Sequence, residues 1–131
     1  MTKDIRYFED IPGAPKAVGP YSPAVSAGGF LFLSGQVGID PTTGALVSGG
    51  LEAQADQALT NLKAVLAASN LTFANVVKST IFLTDIKDFQ SVNGVYGAAL
   101  GSHKPARSTF AVAALPLGAV VEIEMVAAIG A

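Results

Sequence analysis

Two stretches put charge where the surrounding pattern asks for apolar strand: Pro105-Ala106-Arg107-Ser108-Thr109 and, a few residues on, Val121-Glu122-Ile123-Glu124. A guanidinium and two carboxylates in such segments need a reason to be held out of water, and charges so placed often serve a site. The plainer account is an ion pair at an interface, with no chemistry. The chemistry open to the chain is bounded by what it lacks. It has no cysteine and a single histidine, His103. A thiol nucleophile, a thiolate metal site, a disulfide framework and a histidine-based metal site are therefore excluded. Oxygen, arginine, tyrosine and backbone groups remain. His103, just before Lys104-Pro105, reads as an exposed loop residue.

The elements that must hold these residues follow from periodicity. Residues 5–10 allow a short first strand, and a path rich in proline and glycine then leads past Tyr21 to a second strand, Ala24-Val25-Ser26-Ala27. Gly28-Gly29 is a hairpin turn into Phe30-Leu31-Phe32-Leu33-Ser34, which is apolar on both faces, and Gly35 allows close backbone approach where that run ends. From Leu51 to Ser69 apolar residues recur at three- and four-residue steps, which predicts an amphipathic helix closed by Asn70. A β-branched strand over Val76–Thr84 follows, then a helix capped by Asp88 and running to Leu100, and last the strands Arg107–Ala114 and Val120–Ala128. This order predicts one α+β domain over 1–131: a mixed six-stranded sheet with both helices on one face.

Alternation in the last two strands puts Val121, Ile123 and Met125 on one side and Glu122 and Glu124 on the other, with Arg107 and Thr109 opposite Ser108, Phe110 and Val112. The expected core takes the odd residues of the last strand and the even ones of the strand before it. Arg107 and both glutamates then point to the uncovered face, toward opposite ends of their strands, so a pocket holding both would draw them from different chains. Composition agrees with a partnered face, because a chain that is 50% hydrophobic and only 14% charged has few charges to coat a monomer. A net charge of −2 gives no basic footprint for nucleic acid. The charged N-terminus lacks the apolar core of a signal peptide, which predicts a cytoplasmic protein.

Gly19-Pro20-Tyr21-Ser22, Leu33-Ser34-Gly35-Gln36, Val92-Asn93-Gly94-Val95-Tyr96, Pro105–Thr109 and Val121–Glu124 together resemble the motif set of the RidA/YjgF family of reactive-intermediate deaminases, in order and spacing, from about Asp10 to Ala128. The resemblance implies a chorismate-mutase-like fold, a homotrimeric barrel of sheets and clefts between subunits. It implies hydrolysis of enamine and imine acids (2-aminoacrylate, 2-iminopropanoate, 2-iminobutanoate) to 2-oxo acids and ammonia, without cofactor or metal. By the same resemblance Arg107 would clamp the substrate carboxylate with a planar fork that lysine cannot offer. Glu122 would orient or deprotonate the attacking water. Ser34 and the Gly35 backbone would position the carboxylate or imine, Tyr21 would close the cleft and Asn93 would shape it. Thr109, where some relatives have cysteine, would offer its carbonyl to the imine nitrogen. Glu124, which shares the face of Glu122, is expected to be a structural or supporting carboxylate. Two other functions stay open: a non-catalytic trimer that binds small carboxylates or a partner protein as a sensor, and an RNA-cleaving translation inhibitor, which the acidic balance disfavours.

Overall fold

The computed structural model describes residues 4–130. Six strands and two long helices follow one another as β1 (Arg6–Phe8), β2 (Ala24–Ala27), β3 (Phe30–Gln36), α1 (Gly50–Ala67), β4 (Val76–Leu83), α2 (Phe89–Leu100), β5 (Ala106–Ala111) and β6 (Val121–Ala128). They form one sheet in the order β1-β2-β3-β6-β4-β5. Neighbours are antiparallel except β4 and β5, which run parallel because α2 carries the chain back between them. The last strand is thereby inserted between β3 and β4, next to the residues of both. No helix is long and apolar enough to cross a membrane among the described residues.

Both helices cover the same face. Leu31, Leu33, Ile81, Leu83, Val121, Ile123 and Met125 are buried from the sheet side, against Ala58, Leu59, Leu62, Val65 and Leu66 of α1 and Val92, Tyr96 and Leu100 of α2. At roughly 1.5–3 kcal/mol for each large apolar side chain removed from water, this layer is the main support of the fold. Gly28 and Gly29, at φ 60 and 86, make the two-residue turn between β2 and β3 that L-residues with side chains resist. Asn70 takes φ 59 after α1, and Leu71 N–H bonds back to Leu66 C=O, so the helix ends as its sequence predicts.

The structure corrects the phase assigned to β5. Arg107 pairs with Ser79, and Ser79 pairs with Met125 of the core, so Arg107 lies on the helix-covered face. Phe110 pairs with Phe82, which pairs with Glu122; these three share the uncovered face, and Phe110 is 53% exposed. The physical reason is position. β5 is the edge strand, where the helix layer thins, so a half-buried guanidinium fits on the covered side at its margin. β5 also stops at Ala111 rather than Ala114. Two smaller corrections concern polar residues. Asp88 makes no side-chain cap; Asp85 instead accepts from Lys87 N–H and starts a short 3-10 turn that leads into α2. His103 is half-buried, with its Nε2 2.7 Å from the Val76 carbonyl.

Candidate active site in two halves

The first half is built where β3 meets β6. Between Leu33 and Gln36, β3 uses one residue more than β6 does, and this bulge turns the strand at Ser34-Gly35. Gly35 leaves the room this carboxylate occupies: a Cβ on it would stand 2.8 Å from the Glu122 carboxyl carbon, and the glutamate would have to swing aside. The carboxylate therefore lies over bare backbone. Glu122 is half-buried, and burial is the larger cause that raises its pKa above the ordinary glutamate value, with the negative charge of Glu124 adding to it. Such a carboxyl holds its proton to higher pH and is the stronger base once it has lost it.

Around Glu122 lies a cleft of about 450 Å³, lined on its open side by Lys16, Val18, Tyr21 and Leu117 and at its floor by Ser34 and Gly35. The proline-rich loop is tied to the floor by Ser34, whose N–H donates to Pro23 C=O at 2.9 Å and whose hydroxyl donates to Ser22 C=O at 2.6 Å. With its proton so engaged, the Ser34 oxygen is left as an acceptor, suited to an imine N–H and not to a carboxylate. Tyr21 accepts a bond from Val18 N–H at 3.3 Å and keeps its ring at the mouth of the cleft, 47% exposed. Leu117, in the turn before β6, holds a left-handed φ of 61 and is 61% exposed at the same mouth.

The second half lies at the edge of the sheet, under α2. Arg107 Nη2 donates to Asn93 Oδ1 at 2.7 Å. Its guanidinium stands 5.1 Å from the Tyr96 ring centroid and 5.6 Å from that of Phe89. Phe89, Asn93 and Tyr96 fall at i, i+4 and i+7 of α2, so one face of this helix forms an aromatic bracket with an amide between its arms. Tyr96 is fixed in turn by its hydroxyl, which donates to Ser79 Oγ at 2.8 Å. Burial raises the Tyr96 pKa, opposed by the Ser79 bond and the Arg107 charge, so it stays a neutral donor. Arg107 borders a second cleft of about 370 Å³, shared with His103, Lys104 and Pro105.

The structure thus groups Tyr21, Ser34, Gly35, Glu122 and Glu124 around one cleft and Asn93 with Arg107 around another. It does not bring the groups together within a chain. Arg107 is level with Ser79 of β4 and Glu122 with Phe82, on opposite faces of the sheet. Thr109 lines neither cleft, and its hydroxyl is buried without a hydrogen-bond partner. Among the described residues no three His, Asp or Glu side chains gather as a metal site requires. Sequence reasoning missed Phe89 and Tyr96 as partners of Arg107, because aromatic residues at helical spacing read first as core. It also missed Leu117, whose positive φ no local pattern announces.

Residues 12–129 match the family model described as endoribonuclease L-PSP. The DfrA protein of Myxococcus xanthus is 55% identical over 87% of this chain and 88% of its own length. The human 2-iminobutanoate/2-iminopropanoate deaminase is 47% identical over 97% and 93%. Among solved structures, RidA from an Antarctic Psychrobacter superposes with a TM-score of 0.90 at 44% identity, covering 95% of this chain and all of its own. The Escherichia coli TdcF protein with bound serine superposes at 0.89 and 35% identity, with 95% and 100% coverage. The chain therefore belongs to the endoribonuclease L-PSP family, the RidA/YjgF family that its motifs resemble.

Proposed function

We propose that this protein hydrolyses short enamine and imine acids, among them 2-aminoacrylate, 2-iminopropanoate and 2-iminobutanoate, to 2-oxo acids and ammonia. The reading rests on one observation above others. The chain carries a bracketed guanidinium and a base-like carboxylate in separate, individually incomplete clefts, and it is 47% identical to a human deaminase of such imines. A homotrimer, with clefts between subunits, would supply the missing half of each. Arg107 of one subunit clamps the substrate carboxylate with the donors that Asn93 leaves free. The Ser34 oxygen accepts the imine N–H, and Tyr21 narrows the mouth.

Glu122, ionised, takes a proton from water as the water oxygen adds to the imine carbon. Glu122 returns that proton to nitrogen and takes the hydroxyl proton as the C–N bond breaks, so that ammonia leaves as the carbonyl forms. A protonated imine is already electrophilic, so placement together with one base of suitable pKa is enough. No redox step or carbon nucleophile is required, so the reaction makes no demand for a cofactor. Serine bound to TdcF is consistent with a cleft of this kind taking a small carboxylate. The family's descriptive name also raises RNA cleavage, but a pI near 5.1 gives little to attract a polyanion.

The test is the lifetime of an imine made in place by an amino-acid dehydratase or oxidase, with and without this protein. Faster release of ammonia and 2-oxo acid is expected, lost in Arg107→Ala. An unchanged lifetime together with 2-oxo acid binding would favour the sensor reading, and an Arg107→Ala protein as active as the wild type would sink the assigned site.

A further inference from the structure

One wall of the Glu122 cleft, and the backbone just before Glu122, are held by α1 through amide side chains that are polar in an otherwise apolar layer. Gln54 is 8% exposed and Asn61 is fully buried. Asn61 Nδ2 donates to the carbonyls of Val37 and Ile39, at 3.3 and 2.9 Å, and its Oδ1 accepts from Gln57 Nε2 at 2.8 Å. Val37 and Ile39 are walls of the cleft. Gln54 Oε1 accepts from Val120 N–H at 2.9 Å. Val120 stands just before β6 and two residues before Glu122, and its carbonyl accepts from Thr84 N–H at 3.2 Å. The backbone that delivers Glu122 is thus gripped on both sides, by the end of β4 and by α1. Gly38 adds a steric lock, since a Cβ there would stand 2.6 Å from Gln54 Cα and the loop rests on the helix backbone itself.

Burying amides in a helix–sheet interface is unfavourable unless their polar atoms find partners, and here the bonds converge on the same two segments. Those segments fix the two sides of the carboxylate: the start of its own strand, and the continuation of β3 beyond Gly35, over which it lies. We propose that Gln54 is a positioning residue for Glu122, acting by accepting the Val120 N–H, with Asn61 holding the facing wall. The inference rests on the deaminase reading for its kinetic consequence and on geometry alone for its structural one.

Acceptance, and not size or polarity as such, is the property to vary. Gln54→Met keeps an unbranched chain of similar length and removes the acceptor. Gln54→Glu keeps an oxygen at the same reach. In Gln54→Met the kcat, read at the alkaline plateau, is expected to fall roughly tenfold to a hundredfold while KM changes little, because the misplaced group acts on water and not on substrate binding. A carboxyl-carbon NMR titration of Glu122, done without substrate, is expected to show its pKa moving down toward the ordinary value as water reaches the loosened strand. Gln54→Glu is expected to restore most of kcat.

A Gln54→Met protein with wild-type kcat or an unmoved Glu122 titration overturns the proposal, as does a Gln54→Glu protein as impaired as Gln54→Met. Should Gln54→Met fail to fold, Gln54→Asn, which withdraws the amide by one methylene, is judged by the same criteria. A wild-type protein without deaminase turnover would defeat the function and leave the titration as the test of the positioning.

Discussion

At the scale of residues, Glu122 joins catalysis and stability with opposite signs. Its pKa is raised by burial first and by Glu124 second, so between its unfolded and folded pKa values the folded chain binds more protons than the unfolded one. Stability then falls as pH rises through that window, because deprotonation puts a charge where burial opposes it. Glu122→Gln is expected to melt higher than wild type at neutral pH, with the gap closing below about pH 4, where the unfolded glutamate is protonated as well. Thermal melts across pH check this; a variant less stable than wild type at neutral pH would contradict it. The same variant should lose nearly all turnover. Glu124→Gln removes only the second cause, so the acid limb of its kcat/KM profile should lie lower than wild type and turnover should survive. An unmoved limb would show that Glu122 does not sense the charge of Glu124.

At the scale of elements, β3 and α2 carry the site by local geometry. Gly35→Ala places a methyl 2.8 Å from the Glu122 carboxyl carbon. The far end of a side chain can swing aside, so the fold should survive, but the carboxylate leaves its seat and kcat should fall by about tenfold or more. Circular dichroism and steady-state kinetics on one preparation separate the two, and a Gly35→Ala enzyme at wild-type rate would remove the seat from the account. Much of this is legible in the sequence. The helix over Leu51–Ser69 follows from its apolar spacing, and Gly35 marks a place of close approach, although β3 bends at a bulge there and runs on to Gln36 rather than ending. The side to which Arg107 points is not legible. Alternation fixes only which residues of a strand share a face, and the choice of face for an edge strand depends on how far α2 overhangs it. Nor can periodicity show that Phe89 and Tyr96 bracket a cation, because aromatic residues at helical spacing read first as core. Gln54 and Asn61 lie on the buried side of α1 among Ala55, Ala58 and Leu62, where an amide gives no sign in sequence of the distant backbone it will bond.

At the scale of the whole molecule, the uncovered sheet face and the divided site make one argument. Phe30, Phe32 and Phe110 are 41, 47 and 53% exposed on that face, Phe82 and Phe110 stack with centroids 6.4 Å apart, and Lys78 Nζ donates to Ser108 Oγ at 2.9 Å beside them. A surface of this kind is costly to leave in water. If a ring of subunits covers it, each cleft takes Arg107 from one chain and Glu122 from the next, and subunit mixing becomes a direct probe. Arg107→Ala and Glu122→Gln are each expected to be inactive alone. Refolded or expressed together in equal amounts, they place a wild-type Arg107 next to a wild-type Glu122 in about one quarter of the clefts, as random assembly in a closed ring requires. Activity should therefore return to about that fraction of wild type and vary with the mixing ratio, with exchange verified by differently tagged subunits that co-purify. A site contained in one chain gives no recovery at any ratio, since neither variant holds both residues. Phe110→Asp, which puts a charge into the proposed contact, should dissociate the assembly in light scattering and abolish activity together with it. Retained activity in a monomer would place the complete site within one chain after all.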